Sequence, residues 1–259
     1  MALNLAGLRV AICGGLGGIG REICKGLLEK NVARLAVLDL KEDADALKKW
    51  KSEHPKQGMF FGNIDVTKRA DVEKSVGEAK KELGGLDMFI NCSGILKDND
   101  PDLTIQVNLL GTIYTTLTAV NLMGKQKGQN GGTIVNVASV LGLQPCHQFG
   151  IYSASKHGCV GFTRSLSHEF HFNKTGIRFL TICPGITVTN IIADTKDLGT
   201  FDYLADEAVR FTQAKTQQAD ICGKNIIKAL ETGKNGSVWI CDLGTLKEAN
   251  IPVYWEAQY

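Results

Sequence analysis

The chain has 259 residues, 44% hydrophobic and 22% charged, with a formal net charge of +2. That length and apolar content suit one large α/β domain with a substantial core, and the small charge gives no electrostatic case for nucleic acid or an anionic membrane. No apolar run approaches the roughly 18 residues of a span, and the first residues lack a charged stretch followed by a long apolar one, so neither an integral membrane segment nor a secretory leader is expected.

Arg9–Cys13 reads as a buried strand ending at a glycine cluster, and Ile19–Lys30 as a helix with Ile23, Leu27 and Leu28 on one face. Leu35–Asp39 is the second strand and Ala44–Glu53 a helix. Gly58–Asp65 carries the third strand, and Ala70–Leu83 is again helical. Leu86–Asn91 is the fourth strand, followed by a long helix over Leu103–Lys125. Thr133–Val137 is the fifth strand, and a helix is predicted over Tyr152–Phe172. Phe179–Cys183 is the sixth strand, stopped by Pro184-Gly185. Helical stretches from Ala205 and over Asp220–Glu231 lead to a seventh strand, Ser237–Asp242. The strands are near-continuous apolar runs. This predicts an α/β, Rossmann-like, doubly wound sheet of about seven parallel strands with helices on both faces. No linker, repeat or low-complexity segment breaks it, so residues 1–259 read as one domain.

The eight cysteines form no Cys-x-x-Cys, and most lie in apolar segments, so buried free thiols in a reducing cytoplasm are expected. No metal site is predicted. His168 and His171 lack the spacing of His-Glu-x-x-His and read as surface residues. Trp239 and Trp255 read as packing residues.

Gly14-Gly-Leu-Gly-Gly-Ile-Gly20 follows the first strand and opens the first helix, the context that gives a glycine-rich loop meaning. Glycines let the backbone approach a pyrophosphate, and the helix N-terminus offers free N–H groups and a positive dipole end. Gly14, Leu16, Gly18, Ile19 and Gly20 are the candidate contacts there. Asp39 ends the second strand, 19 residues after Gly20, where an acid accepts bonds from both adenine-ribose hydroxyls. A carboxylate there repels a 2′-phosphate, and no basic residue occupies Gly15–Gly17, so NAD is expected over NADP. Lys41, just past the strand, is the one residue placed to reach a phosphate. Asp65-Val66 and Cys92-Ser93-Gly94 end the third and fourth strands and are predicted to face the adenine half of the cofactor.

Tyr152-x-x-x-Lys156 lies on a predicted helix, and residues four apart share a face. A free phenol ionises near pH 10, so a phenol acting as a base near neutrality needs about 4 kcal/mol of help. One positive charge about 4 Å away at an effective dielectric of about 20 supplies that order of energy. A Tyr–Lys pair is thus a means of taking a proton from an alcohol. Ser139 lies thirteen residues upstream.

Assembled, these fragments resemble the short-chain dehydrogenase/reductase family over nearly the whole chain. Gly15-Leu-Gly-Gly-Ile-Gly20, Pro184-Gly-Ile-Thr187 and Asp242-Leu-Gly-Thr245 resemble its insect-type alcohol dehydrogenases. Ala154–Ser165 instead resembles 15-hydroxyprostaglandin dehydrogenases, a mixture that would fit a retinol dehydrogenase. The resemblance implies that Asn108 holds a water next to the lysine and Ser139 orients the substrate oxygen. It implies that Tyr152 is the acid/base and that Lys156 activates it and binds the nicotinamide ribose. Pro184, Gly185, Ile186, Thr187 and Thr189 would contact the carboxamide, with Ile186 and Thr189 foremost. It also implies a homodimer pairing the helices of Leu103–Lys125 and Tyr152–Phe172, with tail residues 245–259 over the partner's pocket. Two departures stand out: Cys13 replaces the family's threonine, and Asn91-Cys92-Ser93-Gly94 its Asn-Asn-Ala-Gly.

The expected activity is NAD-dependent oxidation of an alcohol to an aldehyde or ketone. The substrate pocket is expected from Leu141–Gly150 and a lid over residues 190–215 that includes Ile191, Ile192, Leu198, Phe201, Tyr203, Leu204, Val209 and Phe211. Its apolarity favours a bulky alcohol, retinoid or isoprenoid, over a small secondary, prostanoid or steroid alcohol. His147 is a further candidate for substrate contact, with no contact the favoured reading, while His157 points elsewhere on the helix and takes no catalytic role. The rivals are a reductase working from carbonyl to alcohol, and a non-catalytic carrier of cofactor and retinoid.

Overall fold

The coordinates are a computed structural model that describes residues 3–192, 199–204, 206–207 and 213–253. Eight strands form one sheet: β1 (Arg9–Cys13), β2 (Arg34–Asp39), β3 (Gly58–Asn63), β4 (Met88–Asn91), β5 (Gly132–Val137), β6 (Ile177–Pro184), β7 (Val238–Asp242) and β8 (Thr245–Glu248). Their spatial order is β3-β2-β1-β4-β5-β6-β7-β8. The first seven are parallel, and β8 turns back antiparallel on β7, pairing Asp242 with Thr245. This eighth strand is an addition to the predicted seven. The chain order reverses between β1 and β4, which opens a crevice beyond their carboxyl ends.

Side-chain alternation explains why the strands read as continuous apolar runs. Val10 and Ile12 of β1 and Leu35 and Val37 of β2 join one core. Ala11, Cys13, Ala36 and Leu38, one residue out of phase, join the other. The first core is covered by α1 (Gly18–Glu29), through Ile23, Leu27 and Leu28, and also takes in Leu47 and Trp50 of α2 (Ala44–Glu53). The second is covered by α3 (Arg69–Leu83), through Val72, Val76 and Leu83.

The predicted Leu103–Lys125 helix begins earlier, because Asp100 accepts from Leu103 N–H at 3.1 Å and Pro101 takes the first helical position. It runs as α4 (Pro101–Ile105), a π-helical segment Gln106–Gly111 and α5 (Thr112–Met123). By length and composition this stretch is apolar enough to cross a membrane. In the fold its Asn108, Thr112, Thr115 and Thr116 are buried and hydrogen-bonded inside the protein.

The predicted Tyr152–Phe172 helix divides into α6 (Gly150–Leu166) and α7 (Glu169–Thr175). The Ser167 carbonyl is taken by the Asn235 side chain at 2.7 Å, and His168 Nδ1 accepts from Phe170 N–H at 3.1 Å to cap a new start. Beyond the expected helix from Ala205, most of which lies outside the described residues, α8 (Ala219–Thr232) packs along α1.

At the end of the sheet away from the crevice, Arg9 binds Asp87 through Nε at 2.8 Å and Nη2 at 2.7 Å, and its backbone N–H adds a third bond at 2.9 Å. The guanidinium bond holds the Asp87 carboxyl below the usual carboxylate range. A depressed native pKa gives stability above the unfolded value that is lost as pH falls through the native one. Asp87→Ala is expected to cost about 1–2 kcal/mol at pH 7, read by urea unfolding. The gap to the parent should close in acid. An unchanged midpoint at pH 7 would assign the pair no net stability.

Candidate active site

The turn after β1 is built for close approach. Gly14 has φ +76°, and a Cβ there would lie 2.7 Å from the Cys92 carbonyl carbon and the Ser93 nitrogen. A Cβ on Gly20 would collide with the Gly14 carbonyl oxygen, so α1 begins tight against the strand end. Asp39 reaches over the same turn: Oδ2 accepts from Leu16 N–H at 2.9 Å and Oδ1 from Leu40 N–H at 2.8 Å. Each carboxylate oxygen keeps a second acceptor position. The hollow in front of Asp39 is lined by Leu16, Gly17, Arg21, Lys41, Glu42 and Asp43. Arg21 is held there by Asp43 at 2.6 Å and by the Leu16 carbonyl at 2.7 Å.

From Gly17 a crevice of about 1590 Å³ runs past the ends of β4, β5 and β6. Its walls include Leu16, Gly18, Ile19, Gly20, Cys92, Ser93, Gly94, Ser139, Tyr152, Lys156 and Pro184 through Ile191. Most of the sequence-predicted dinucleotide residues thus share one cleft with Ser139, Tyr152 and Lys156, while Asp39 lines the adjoining hollow. Gly14 lies beneath the turn, outside the lining. So do Asp65 and Val66. Asp65 accepts from the Thr67 hydroxyl at 2.6 Å and pairs with Lys68, while Val66 is buried in the second core.

Lys156, only 4% exposed, extends beneath Tyr152. Its Nζ lies 5.5 Å from the phenol ring centroid and donates to the Val137 carbonyl at 3.2 Å. Asn108, in the π-helical segment, donates to the Ile95 carbonyl and accepts from Ile95 N–H, both at 2.9 Å, and also donates to Ser155 Oγ at 3.2 Å. π turns recur at functional sites. Here the turn aims Asn108 at the Gly94 position, which the Lys156 ammonium also faces. Ser139 Oγ accepts from Leu141 N–H at 3.1 Å and opens into the crevice. A buried network of Asn91, Thr116, Asn136 and Thr163 braces β4 and β5 below.

The two departures from the family pattern touch. The Ser93 hydroxyl donates to Cys13 Sγ at 3.1 Å. Burial pushes the Cys13 and Cys92 thiols up to about 12, so neither supplies a thiolate near neutrality. All eight cysteines are free. Among the described residues no His, Cys, Asp and Glu group could hold a metal.

The model of the short chain dehydrogenase family matches residues 9–198. Alcohol dehydrogenase 1 of Ceratitis capitata is 39% identical over 257 residues, spanning 99% of this chain and 100% of that protein. The chain belongs to the short-chain dehydrogenase family, among its insect-type alcohol dehydrogenases. The alcohol dehydrogenase-related 31 kDa protein of Drosophila melanogaster is 36% identical over 97% of this chain and 92% of its own. Levodione reductase superposes with a TM-score of 0.76 at 25% identity, covering 92% of this chain and 97% of the other. ElxO with NADP bound gives 0.72 at 26% identity, covering 91% and 97%. This dehydrogenase is thus an oxidoreductase, and its glycine turn and Asp39 fit a nicotinamide dinucleotide.

Of the residues expected to line the substrate pocket, Leu141 and Ile191 line the crevice, together with Leu96, Leu103 and Val140. Phe201 and Tyr203 do not. They stack on each other with centroids 5.2 Å apart and are exposed. Leu204 is buried. Leu198, Val209 and Phe211 lie outside the described residues, as do the Ile192 side chain, Trp255 and the tail beyond Val253. His147 is not part of the crevice lining; it is exposed, 4.0 Å from Glu207. Trp239 packs against the first core.

Sequence reasoning missed Arg21, Asp98 and Gln217. Gln217 is 3% exposed. Its Nε2 donates to Thr187 Oγ1 at 3.2 Å and to the Cys241 carbonyl at 2.7 Å, and its Oε1 accepts from Gly244 N–H at 3.3 Å. It joins the loop after β6 to the β7–β8 turn.

Proposed function

We propose that this dehydrogenase oxidises an alcohol to an aldehyde or ketone with NAD, Tyr152 taking the hydroxyl proton. The observation that carries the reading is the Lys156 ammonium 5.5 Å from the Tyr152 ring in a crevice continuous with the glycine turn. The bound dinucleotide supplies the hydride acceptor. Ser139 and Tyr152 hold the substrate oxygen. Lys156 places its positive charge beneath the ring that carries the Tyr152 hydroxyl. Asn108 anchors the loop at Ile95 and orders the space beside Lys156.

NAD is the reading over NADP because acids surround the ribose end. Asp39, Glu42, Asp43 and Asp45 line it against Arg21 and Lys41, and Arg21 is already paired with Asp43. Leu96, Leu103, Val140, Leu141 and Ile191 favour a bulky apolar alcohol of the retinoid or isoprenoid class. Free buried cysteines suit a reducing cytoplasm. Leu117, exposed on α5, suits a homodimer across α5 and α6.

NADH formation from short secondary alcohols, retinol, farnesol and a prostanoid-like alcohol tests both layers. The highest kcat/KM is expected with retinol or farnesol. A preference for short secondary alcohols would replace the substrate class. Absence of NADH with every alcohol would leave the carrier reading in its place.

A further inference from the structure

The helix that carries Tyr152 starts without a cap of its own. Its N-cap position is Phe149, a residue with no side-chain acceptor, and the first intrahelical bond runs from Ser153 N–H to the Phe149 carbonyl at 2.9 Å. The three N–H groups before it need acceptors from elsewhere. Two remote side chains supply them. Gly150 N–H donates to Thr200 Oγ1 at 2.8 Å. Ile151 N–H donates to Asp98 Oδ2 at 2.7 Å, and Tyr152 N–H to Asp98 Oδ1 at 2.8 Å. Thr200 Oγ1 closes the group by donating to Asp98 Oδ2 at 2.9 Å.

Asp98 is 1% exposed and lies between Lys97 and Asn99, both on the crevice wall. A buried carboxylate is kept only where its oxygens are bonded, and here three donors converge on it. Tyr152 sits in the first helical turn, Lys156 in the second. Lys156 is independently held by the Val137 carbonyl. Loss of the cap frays the first turn and moves Tyr152 while Lys156 stays in place.

We propose that Asp98 and Thr200 are positioning residues that fix Tyr152 relative to Lys156 and tie the Gly199–Leu204 segment to the reactive end of α6. The inference rests on the reading of Tyr152 as proton acceptor. Neither residue touches the reacting atoms. Their effect passes through the helix start, so it belongs in kcat and the pH profile, not in dinucleotide affinity.

The test compares Thr200→Val, Thr200→Ser and Asp98→Asn with the parent. NADH affinity is read by fluorescence, kcat/KM is followed against pH, and exchange of the Gly150, Ile151 and Tyr152 amides is measured with dinucleotide bound. Thr200→Val should keep NADH affinity within about twofold and lower kcat about tenfold. It should also move the rise of kcat/KM to higher pH and speed exchange of the three amides about tenfold. Thr200→Ser, which keeps the hydroxyl, should match the parent. Asp98→Asn should act in the same direction and more strongly. Thr200→Val decides the matter if Asp98→Asn does not fold. Unchanged amide protection in Thr200→Val overturns the cap whatever the turnover, and so does a loss shared equally by NADH affinity and thermal stability. If the amides open but the parent itself oxidises no alcohol, the cap stands and the alcohol-oxidising reading fails.

Discussion

Tyr152→Phe is expected to lower kcat for alcohol oxidation by about 10²–10⁴-fold, the usual contribution of a positioned acid or base. The change removes one oxygen and keeps the ring that sits 5.5 Å from the Lys156 ammonium. The other crevice walls from Leu16 to Thr189 are untouched and the Tyr152 ring stays in place, so NADH should bind within about twofold of the parent. The split between kcat and affinity is the decisive feature. A variant with near-normal turnover would remove Tyr152 from the chemistry. A variant that lost turnover and affinity together would make it a binding residue.

Asp39→Asn is expected to act at the other end of the crevice. The carboxylate holds the Leu16 and Leu40 N–H groups and faces a hollow with three further acids. Charge-assisted hydrogen bonds contribute roughly 1.5–3 kcal/mol, so NAD should bind about 10- to 100-fold more weakly. NADP should gain as the like charge disappears and Arg21 and Lys41 remain, shrinking the NAD preference by about 100-fold. Titrating both dinucleotides against parent and variant reads this directly. A parent that already prefers NADP would sink the assignment. Equal weakening of both would confine Asp39 to holding the turn.

Much of this was legible because local pattern and tertiary role coincide. Arg9–Cys13 is apolar on both faces because both are covered, and the glycines after it have no other strand–helix junction to serve. The Tyr152–Lys156 pair follows from helical spacing alone. The division at Ser167–His168 was not legible, because the partner that takes the Ser167 carbonyl, Asn235, lies 68 residues away. β8 escaped because Thr245–Glu248 is an edge strand with mostly exposed side chains and little apolar alternation. Asp98 and Thr200, 102 residues apart, carry no local signal. The hint was indirect: a helix opening on Phe149-Gly150, with no Ser, Thr, Asp or Asn before it, must find its acceptors elsewhere. Arg21 gives no signal within Gly15–Gly17, because it is a side chain one turn into α1 that folds back over the loop.

Gln217 has a wider consequence. One amide bonds both the Thr187 hydroxyl on the crevice wall and the backbone of the final hairpin, so a single side chain holds the loop after β6 against the last two strands. A substitution that displaces this hairpin therefore reaches the crevice wall at Thr187 without altering any residue that lines it.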